Sequence, residues 1–322
     1  MSGGRPARPE RIRSNNNRPK RSGIPATQLG VLAGGAAGLG YAFTVIFGSR
    51  LADAGLQSTT VLSIRFFVSG AILVTLSAAR RKSVVPVKGE WLPIFLLGAI
   101  GYMIESSFFF AGIARGSAAA VTLLFYVYPA IVTVIESVRN RQRPSTRVVG
   151  ALALSITGCG LVAGASGDLK LGRLAVVFAL CSAFTFALYV TVGSRISKNS
   201  DAMVTGAWVA LGASSSFTIR ALIGAGYAST AGHWPELIAN GAANALAFGM
   251  MFGALGLLGP SRATVVLTTE AVFTVILSVV ILRETLAPLQ LVGAVAVLVA
   301  AVVVASSNQP DGLVETEATS AP

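Results

Sequence analysis

Ten apolar runs of about 20 residues each occupy most of this 322-residue sequence. A helix needs about 20 mostly apolar residues to cross about 30 Å of hydrocarbon, so each run is long enough to span a bilayer. The loops between the runs are short, which makes consecutive helices antiparallel neighbours. We therefore predict an all-α integral membrane protein with ten transmembrane helices, at about residues 27–48, 57–79, 91–114, 117–138, 146–165, 172–194, 202–226, 237–258, 261–282 and 287–306.

The residue composition excludes most soluble classes. Hydrophobic residues make up 53% of the chain and charged residues only 12%, whereas soluble domains carry about 25% charged residues. The net charge of +12 does not indicate a nucleic-acid partner, because the positive residues lie in loops and one tail. The two cysteines lie inside apolar runs without a CxxC motif, and there is one histidine, so we expect no metal site and no cofactor.

Both ends of the chain are polar. Residues 1–26 are rich in Arg, Pro and Asn and have no apolar segment of their own, which is typical of a disordered basic cytoplasmic tail and not of a signal peptide. Residues 307–322 form a second polar tail that we also expect to be disordered. Lys and Arg are concentrated in the first tail and in the loops on the same side, so the positive-inside rule predicts an inner-membrane protein with both termini in the cytoplasm (N-in, C-in).

Two segments of the sequence, Gly116–Gly150 and Gly259–Gly293, read alike at an offset of about 143 residues. The tripeptide Gly-Ser-Arg also closes both the first and the sixth span. A general likeness among apolar helices is the alternative explanation, but several matches in one register favour duplication into two five-helix repeats, residues 27–165 and 172–306. Because five spans is an odd number, the second repeat must be inverted, an architecture that places a substrate site near the midplane of a transporter.

Three motifs connect the sequence with a known group of proteins. The segments Gly116–Pro129 and Leu267–Ala294, together with Arg65 in Ser63–Leu73, resemble the drug/metabolite transporter superfamily, and within it the proteins with two EamA domains. The resemblance extends over about residues 30–305. It implies ten helices, inverted repeats and transport of metabolites such as amino acids or related amphiphiles. Ala271 departs from the family pattern, which often has proline there and a bend in the ninth helix.

Charged residues inside the predicted spans are the first candidates for a functional site, because a charge at a helix centre costs about 2.5–3.5 kcal/mol on insertion scales. Arg65 and Glu105 lie at matching depths, about 13–15 Å below the outer surface at a rise of about 1.5 Å per residue. We therefore predict an Arg65–Glu105 ion pair. The pair either fixes helix packing or opens when a substrate offers its carboxylate to Arg65. Glu136, near the end of the fourth helix, is expected to form an interfacial salt bridge with Arg139.

Glu270 lies near the middle of the ninth helix without an expected cation at its depth. It is therefore a candidate for a protonatable coupling site or for binding an amine. The alternative is a hydrogen bond with Thr268 or with a neighbouring helix. Weaker candidates for a cavity wall are Tyr41, Asn244 and Trp208.

The fourth helix carries a polar stripe. Thr122, Tyr126, Pro129 and Thr133 follow spacings of 4, 3 and 4 residues, so they share one face. The stripe indicates either a cavity wall or a packing interface whose threonines bond to their own backbone. Because proline has no N–H, Pro129 frees the carbonyl of Phe125 and is expected to bend the helix.

Three classes of function fit a ten-helix membrane protein. A secondary transporter, working as an exporter of a small organic metabolite by alternating access, fits best, since the sequence has no GxxxxGK[ST] phosphate loop. An intramembrane enzyme is disfavoured, because one histidine and scattered carboxylates supply no catalytic motif. A structural or receptor-like membrane protein has no extramembrane domain here to receive a signal. The expected partners are the substrate and the lipid bilayer, with homodimer formation left open.

Overall fold

The computed structural model describes residues 25–116, 118–164, 172–224, 230–282 and 287–306. This part of the chain folds into ten helices, which confirms the predicted all-α membrane fold. They are α1 (Ala26–Asp53), α2 (Ser58–Ala79), α3 (Trp91–Ile113), α4 (in two segments, Ala118–Phe125 and Tyr128–Asn140), α5 (Thr146–Gly164), α6 (Arg173–Ile196), α7 (Ala202–Ile223), α8 (Trp234–Leu258), α9 (Pro260–Ile281) and α10 (Pro288–Ala305).

Seven of these helices, α1–α3 and α6–α9, are long and apolar enough to cross a membrane. The helices α5 and α10 are shorter apolar helices, and α4 crosses as two consecutive segments. With ten antiparallel crossings, α1 begins and α10 ends on the same face of the bundle, which we call the terminal face. The opposite side is the distal face.

Helix packing follows a pseudo-twofold pattern that relates each helix of α1–α5 to the helix five places later. Three contacts join equivalent helices to each other: α2 with α7, α4 with α9 and α5 with α10. Most of the remaining main contacts occur in matched pairs. Thus α1 packs on α8 and α9 as α6 packs on α3 and α4, and α2 packs on α8 as α7 packs on α3. The two five-helix units are therefore inverted repeats of one arrangement.

Glycine brings two helix pairs into backbone contact. A Cβ atom at Gly98 of α3 would lie 1.9 Å from the carbonyl oxygen of Val209, and one at Gly212 of α7 would lie 2.1 Å from that of Phe95. No residue larger than glycine fits at this crossing, as at the small-residue interfaces of membrane helices. In the same way Gly38 of α1 lies against the backbone of α9, where a Cβ atom would be 2.9 Å from the nitrogen of Glu270.

Helix α4 is interrupted between Phe125 and Tyr128. The N–H of Val127 donates to the carbonyl of Leu124 at 3.2 Å, a tight three-residue turn, and Pro129 has no N–H to donate to Phe125. The second segment then begins with proline in its first turn. The helix is therefore interrupted beside Pro129, where the sequence predicts a bend.

Helix α9 is interrupted at Thr268, the position that corresponds to Phe125 in the sequence repeat. No proline is present, and two hydroxyl groups act instead: Thr268 donates to the carbonyl of Val265 at 2.6 Å and Thr269 to that of Val266 at 2.8 Å. Because these hydroxyls bond helix carbonyls, they favour a local departure from regular helix. The departure at Ala271 therefore does not prevent an interruption of α9, and both repeats carry a broken helix at the same depth.

Candidate functional site

Aromatic side chains from six helices and both repeats meet midway along the bundle. Tyr102 is central, with ring centroids 4.9 Å from Phe66, 5.8 Å from Tyr189 and 5.8 Å from Phe248. The contacts continue from Tyr189 to Phe186 at 5.6 Å. We call the whole group the aromatic cluster, and its members are Tyr41, Phe66, Tyr102, Tyr128, Phe186, Tyr189 and Phe248.

Glu270 faces the aromatic cluster from the break in α9. Its side chain is partly accessible although protein surrounds it, as expected of a residue that lines an internal cavity. No described side chain donates a hydrogen bond to its carboxylate. Its charge acts on a ring of neighbouring groups: Tyr41, Tyr102, Tyr126, Tyr128 and Cys159.

The alternative that Thr268 bonds to Glu270 is wrong. The Thr268 hydroxyl lies 2.7 Å from that of Ser155 on α5 and donates to the carbonyl of Val265. Thr268 thus joins α9 to α5 and supports the break, and it makes no hydrogen bond to the neighbouring carboxylate.

The predicted Arg65–Glu105 ion pair is also wrong: within the described ranges, no salt bridge joins the two side chains. Glu105 is only 6% exposed, and its two oxygens accept hydrogen bonds from Ser106 at 3.0 Å and from Ser182 of α6 at 2.9 Å. The Arg65 guanidinium lies 4.6 Å from the ring centroid of Phe66. Two hydroxyls therefore satisfy the carboxylate, and the π face of an aromatic ring attracts the cation.

Tyr102 brings the three charged candidates into one site. It interacts electrostatically with Arg65, Glu105 and Glu270, and Arg65 also acts on Glu105 through space. Tyr102 is the last residue of a run of π-helix in α3, Leu97–Tyr102; such insertions are frequent at functional sites. The site thus combines one cationic and two acidic side chains with a wall of aromatic rings.

The residues of the polar stripe on α4 have different surroundings before and after the helix break. Tyr126 is 7% exposed and interacts electrostatically with Glu270, so it belongs to the site. Thr122 is half-buried one turn before the break, and Pro129 forms the break itself. The Thr133 hydroxyl lies 2.8 Å from that of Ser261, which joins α4 to α9. At Thr133 the stripe is a packing interface.

Three weaker candidates also have clear positions. Tyr41 belongs to the aromatic cluster and donates from its hydroxyl to the Met251 sulfur at 3.2 Å. Asn244 is fully buried between α8 and α2, where its amide donates to Ser69 at 3.1 Å. Trp208 lies apart from the site: it packs on Trp91 and donates to the carbonyl of Val84 in the α2–α3 loop.

Several residues of the site were missed by the sequence analysis, namely Tyr102, Tyr128, Phe186, Phe248, Ser106 and Ser182. Five of the six tyrosines in the chain belong to the site or border it. Tyrosine in membrane helices is normally enriched at the two membrane interfaces. Tyrosines in the middle of apolar runs were therefore a usable signal.

An ion network closes the terminal face beside α4. The predicted Glu136–Arg139 salt bridge is confirmed at 2.7 Å, and Arg195 of α6 binds the other carboxylate oxygen at 2.7 Å. Glu136 therefore joins α4 to α6. Arg50, the counterpart of Arg195 in the first repeat, forms no ion pair with any described residue on the distal face. Among the described residues, the salt bridges of Glu136 on the terminal face thus have no counterpart at Arg50 on the distal face.

Two inverted five-helix repeats with broken helices around a buried charged site define a membrane transporter. Comparison with known proteins gives the family. Residues 28–164 and residues 173–306 each match the EamA-like transporter family, so this chain belongs to that family, which confirms the resemblance seen in the sequence.

Individual relatives are more distant. The chain is 25% identical over 158 residues to the uncharacterized inner membrane transporter YicL of Salmonella typhimurium (strain LT2). That match covers 48% of this chain and 53% of YicL, so the chain spans about half the length of this relative. A solved crystal structure superposes with a TM-score of 0.73 at 16% identity, over 85% of this chain and 95% of that one, and it supports the fold alone.

Proposed function

We propose that this protein is a secondary transporter that exports a small zwitterionic metabolite, such as an amino acid or a related amphiphile, by alternating access. The observation that carries the proposal is the unpaired carboxylate of Glu270, which shares Tyr102 as a neighbour with the Arg65 guanidinium. A zwitterion presents a carboxylate and an ammonium group a few atoms apart. Arg65 offers a partner for the first and Glu270 for the second.

The aromatic cluster supports this substrate class. An ammonium group over an aromatic face gains about 2 kcal/mol or more where it is desolvated. The same rings accept an apolar or aromatic side chain through offset or edge-to-face contacts, worth about 0.5–1.5 kcal/mol per ring pair beyond area burial. The site therefore fits a zwitterion with an apolar substituent better than a strongly hydrated solute such as a sugar.

Alternating access follows from the inverted repeats, because exchanging the conformations of the two halves moves the opening from one face to the other. The breaks in α4 and α9 lie beside the site and provide points at which the helix halves can move. On the terminal face, the Glu136–Arg195 salt bridge and the Thr133–Ser261 hydrogen bond hold α4 against α6 and α9. Opening this face must break both contacts.

We further propose the N-in, C-in orientation in the inner membrane. Among the described residues, the terminal face carries many more basic side chains than the distal face, and cytoplasmic loops are the basic ones. The terminal-face set is Arg80, Arg81, Lys82, Lys88, Arg139, Arg141, Arg143, Arg147, Arg195, Lys198 and Arg262. The distal set is Arg50, Arg115, Arg173 and Arg220.

Cysteine labelling in intact cells tests the orientation. A membrane-impermeant maleimide is expected to label Asp53→Cys, which lies exposed at the distal end of α1, and not Lys88→Cys in the loop between α2 and α3. Both variants should react equally after permeabilisation. Labelling of Lys88→Cys alone in intact cells would reverse the assignment.

A substrate panel that varies only charge tests the transport proposal. Proteoliposomes containing the protein are assayed for uptake and for efflux of L-phenylalanine, phenethylamine and 3-phenylpropanoate, which share a ring and differ in their charged groups. The zwitterion is expected to move fastest, the amine more slowly and the acid least, because each analogue leaves one charged group of the site unmatched. Fluxes equal to those of empty liposomes for all three compounds would reject the proposed substrate class.

A further inference from the structure

A cleft opens on the distal half of the bundle between α2, α3 and α7. It has a volume of about 120 Å³. None of its lining residues belongs to the aromatic cluster, although one of them, Phe217, stacks on Phe66 at 5.9 Å. Apolar side chains and hydroxyl groups alternate along its wall, and an arginine stands at the distal end. The lining residues are Ser58, Thr59, Leu62, Ser106, Ser107, Phe110, Phe217 and Arg220.

Ser106 connects the cleft with Glu105. It lines the cleft and also donates its hydroxyl hydrogen to one carboxylate oxygen of Glu105 at 3.0 Å. The other oxygen accepts from Ser182 of α6 at 2.9 Å. Glu105 itself is 6% exposed and does not line the cleft. A polar route therefore runs from the distal surface through one hydroxyl to a buried carboxylate beside the site.

We propose that Glu105 is the proton-coupling carboxylate of this transporter and that the cleft, with Ser106 as relay, is its proton route from the distal side. The inference rests on the proposed transport function and adds the coupling ion and its path. Protons then reach the site through this cleft between α2, α3 and α7, while the solute binds beside the aromatic cluster.

The transfer balances without any other reactant. A hydronium ion in the cleft gives a proton to a lone pair of the Ser106 oxygen, and Ser106 passes its own hydroxyl hydrogen to Glu105. Water and a neutral carboxylic acid result, and the serine is neutral again. Release to the opposite face runs by way of the site. Relay through a hydroxyl requires hydrogen-bond distances, and the observed 3.0 Å satisfies that condition.

The groups that face Glu105 explain how its protonation changes solute binding. They are Arg65 from α2, Tyr102 from α3 and Tyr189 from α6, and Arg220 of α7 lies near the distal end of the cleft, where it donates to Ser107 at 2.8 Å. Loading Glu105 with a proton removes one negative charge beside Arg65 and Tyr102. The two protonation states therefore differ in affinity for a charged solute, which is the requirement for coupling.

Net flux and exchange in proteoliposomes separate the relay from solute binding. Ser106→Ala is expected to slow pH-gradient-driven flux of L-phenylalanine by about a hundredfold, the lower end of the range for loss of a proton-transfer group. Exchange of internal for external L-phenylalanine should stay near the wild-type rate, because exchange needs no net proton movement. Ser107→Ala is the matched control: Ser107 lines the same cleft, donates to the carbonyl of Met103 and accepts from Arg220, but makes no bond to Glu105, so it should slow gradient-driven flux far less than Ser106→Ala.

Glu105→Gln removes the proton site itself. We expect it to retain exchange and to lose the response to a pH gradient. If wild-type flux ignores the pH gradient, the coupling proposal is overturned while the transport function stands. Equal effects of Ser106→Ala and Ser107→Ala on gradient-driven flux would overturn the route.

Infrared difference spectroscopy decides the question without a substrate, so it applies even if no panel compound moves. A carboxylic-acid C=O band that appears on acidification and is missing in Glu105→Gln reports the protonation of Glu105. In heavy water, the carboxylic-acid proton of Glu105 exchanges for deuterium, which shifts this band. The shift should develop more slowly in Ser106→Ala than in Ser107→Ala. A Glu105 band that exchanges equally fast in both variants, or no such band, would contradict the proposal.

Discussion

Glu270→Gln is expected to weaken binding of a zwitterion or an amine by about a hundredfold or more, which removes transport at ordinary substrate concentrations. The loss of one partner from a buried charge pair costs about 2–5 kcal/mol, and a factor of ten corresponds to about 1.4 kcal/mol. Gln keeps the shape of the side chain but not its charge. The measurement is equilibrium binding of labelled L-phenylalanine and phenethylamine to the purified protein.

The same substitution should not destabilise the protein. Because no described side chain bonds to the Glu270 carboxylate, Gln leaves no partner unpaired, and the cost of holding a charge in the bundle disappears. Glu136→Gln provides the contrast. It removes the charge from two salt bridges at 2.7 Å on the terminal face, so we expect a lower thermal midpoint with little change in affinity for a solute. If Glu270→Gln binds phenethylamine as the wild type does, Glu270 is not the amine partner.

Hydrophobic length alone predicted the architecture. Crossing a bilayer fixes how many apolar residues a span needs, so ten runs indicate ten helices, and an odd repeat requires inversion. Proline chemistry likewise predicted the break in α4. The break in α9 depends on two threonine hydroxyls, Thr268 and Thr269, and threonine occurs in many helices without breaking them. For that reason the absence of proline at Ala271 suggested a regular helix where the structure has an interruption.

The partners of the charged residues were harder to predict. Counting residues gives the depth of a side chain but not the direction in which it points across the bundle. Arg65 and Glu105 share a depth, yet Glu105 bonds to Ser182, a residue 77 positions later that the repeat brings next to it. A serine in an apolar run carries no sign of this contact. Trp208 illustrates the opposite error. Its position within an apolar run suggested a place in a cavity wall, but its indole N–H donates to the carbonyl of a loop residue.

Polar residues in membrane helices serve cavities and helix interfaces with the same chemistry. Thr133 and Asn244 bond across interfaces, to Ser261 and Ser69, and Tyr126 faces the site. Spacing on one helix cannot separate these uses, because both require an inward face. The difference lies in whether a complementary hydroxyl from another helix reaches the side chain, which only the packed bundle determines.

Close packing between helices can be tested at two glycines that occupy equivalent positions in the two repeats. Gly98 of α3 and Gly241 of α8 occupy corresponding positions, and each lies against the second helix of the other repeat. A Cβ atom at Gly98 would lie 1.9 Å from the backbone oxygen of Val209, whereas one at Gly241 would meet the Val68 side chain at 2.5 Å. The contact at Gly241 includes the Val68 Cβ atom, which rotation of the side chain cannot move, so both substitutions press on a neighbouring helix. The clash at Gly98 is the closer of the two and involves the backbone itself.

Gly98→Ala is therefore expected to destabilise the protein more than Gly241→Ala, by an amount at or above the top of the roughly 1–3 kcal/mol range for overpacked sites. Gly35→Ala is the control, since no atom lies within 4 Å of a Cβ atom there and alanine favours helix over glycine. Thermal midpoints of the three purified variants in one detergent give the order. Because Gly98 lies four residues before Tyr102 in α3, its substitution should also displace the aromatic cluster and lower L-phenylalanine binding. Equal midpoints for Gly98→Ala and Gly35→Ala would mean that α3 and α7 do not touch through their backbones.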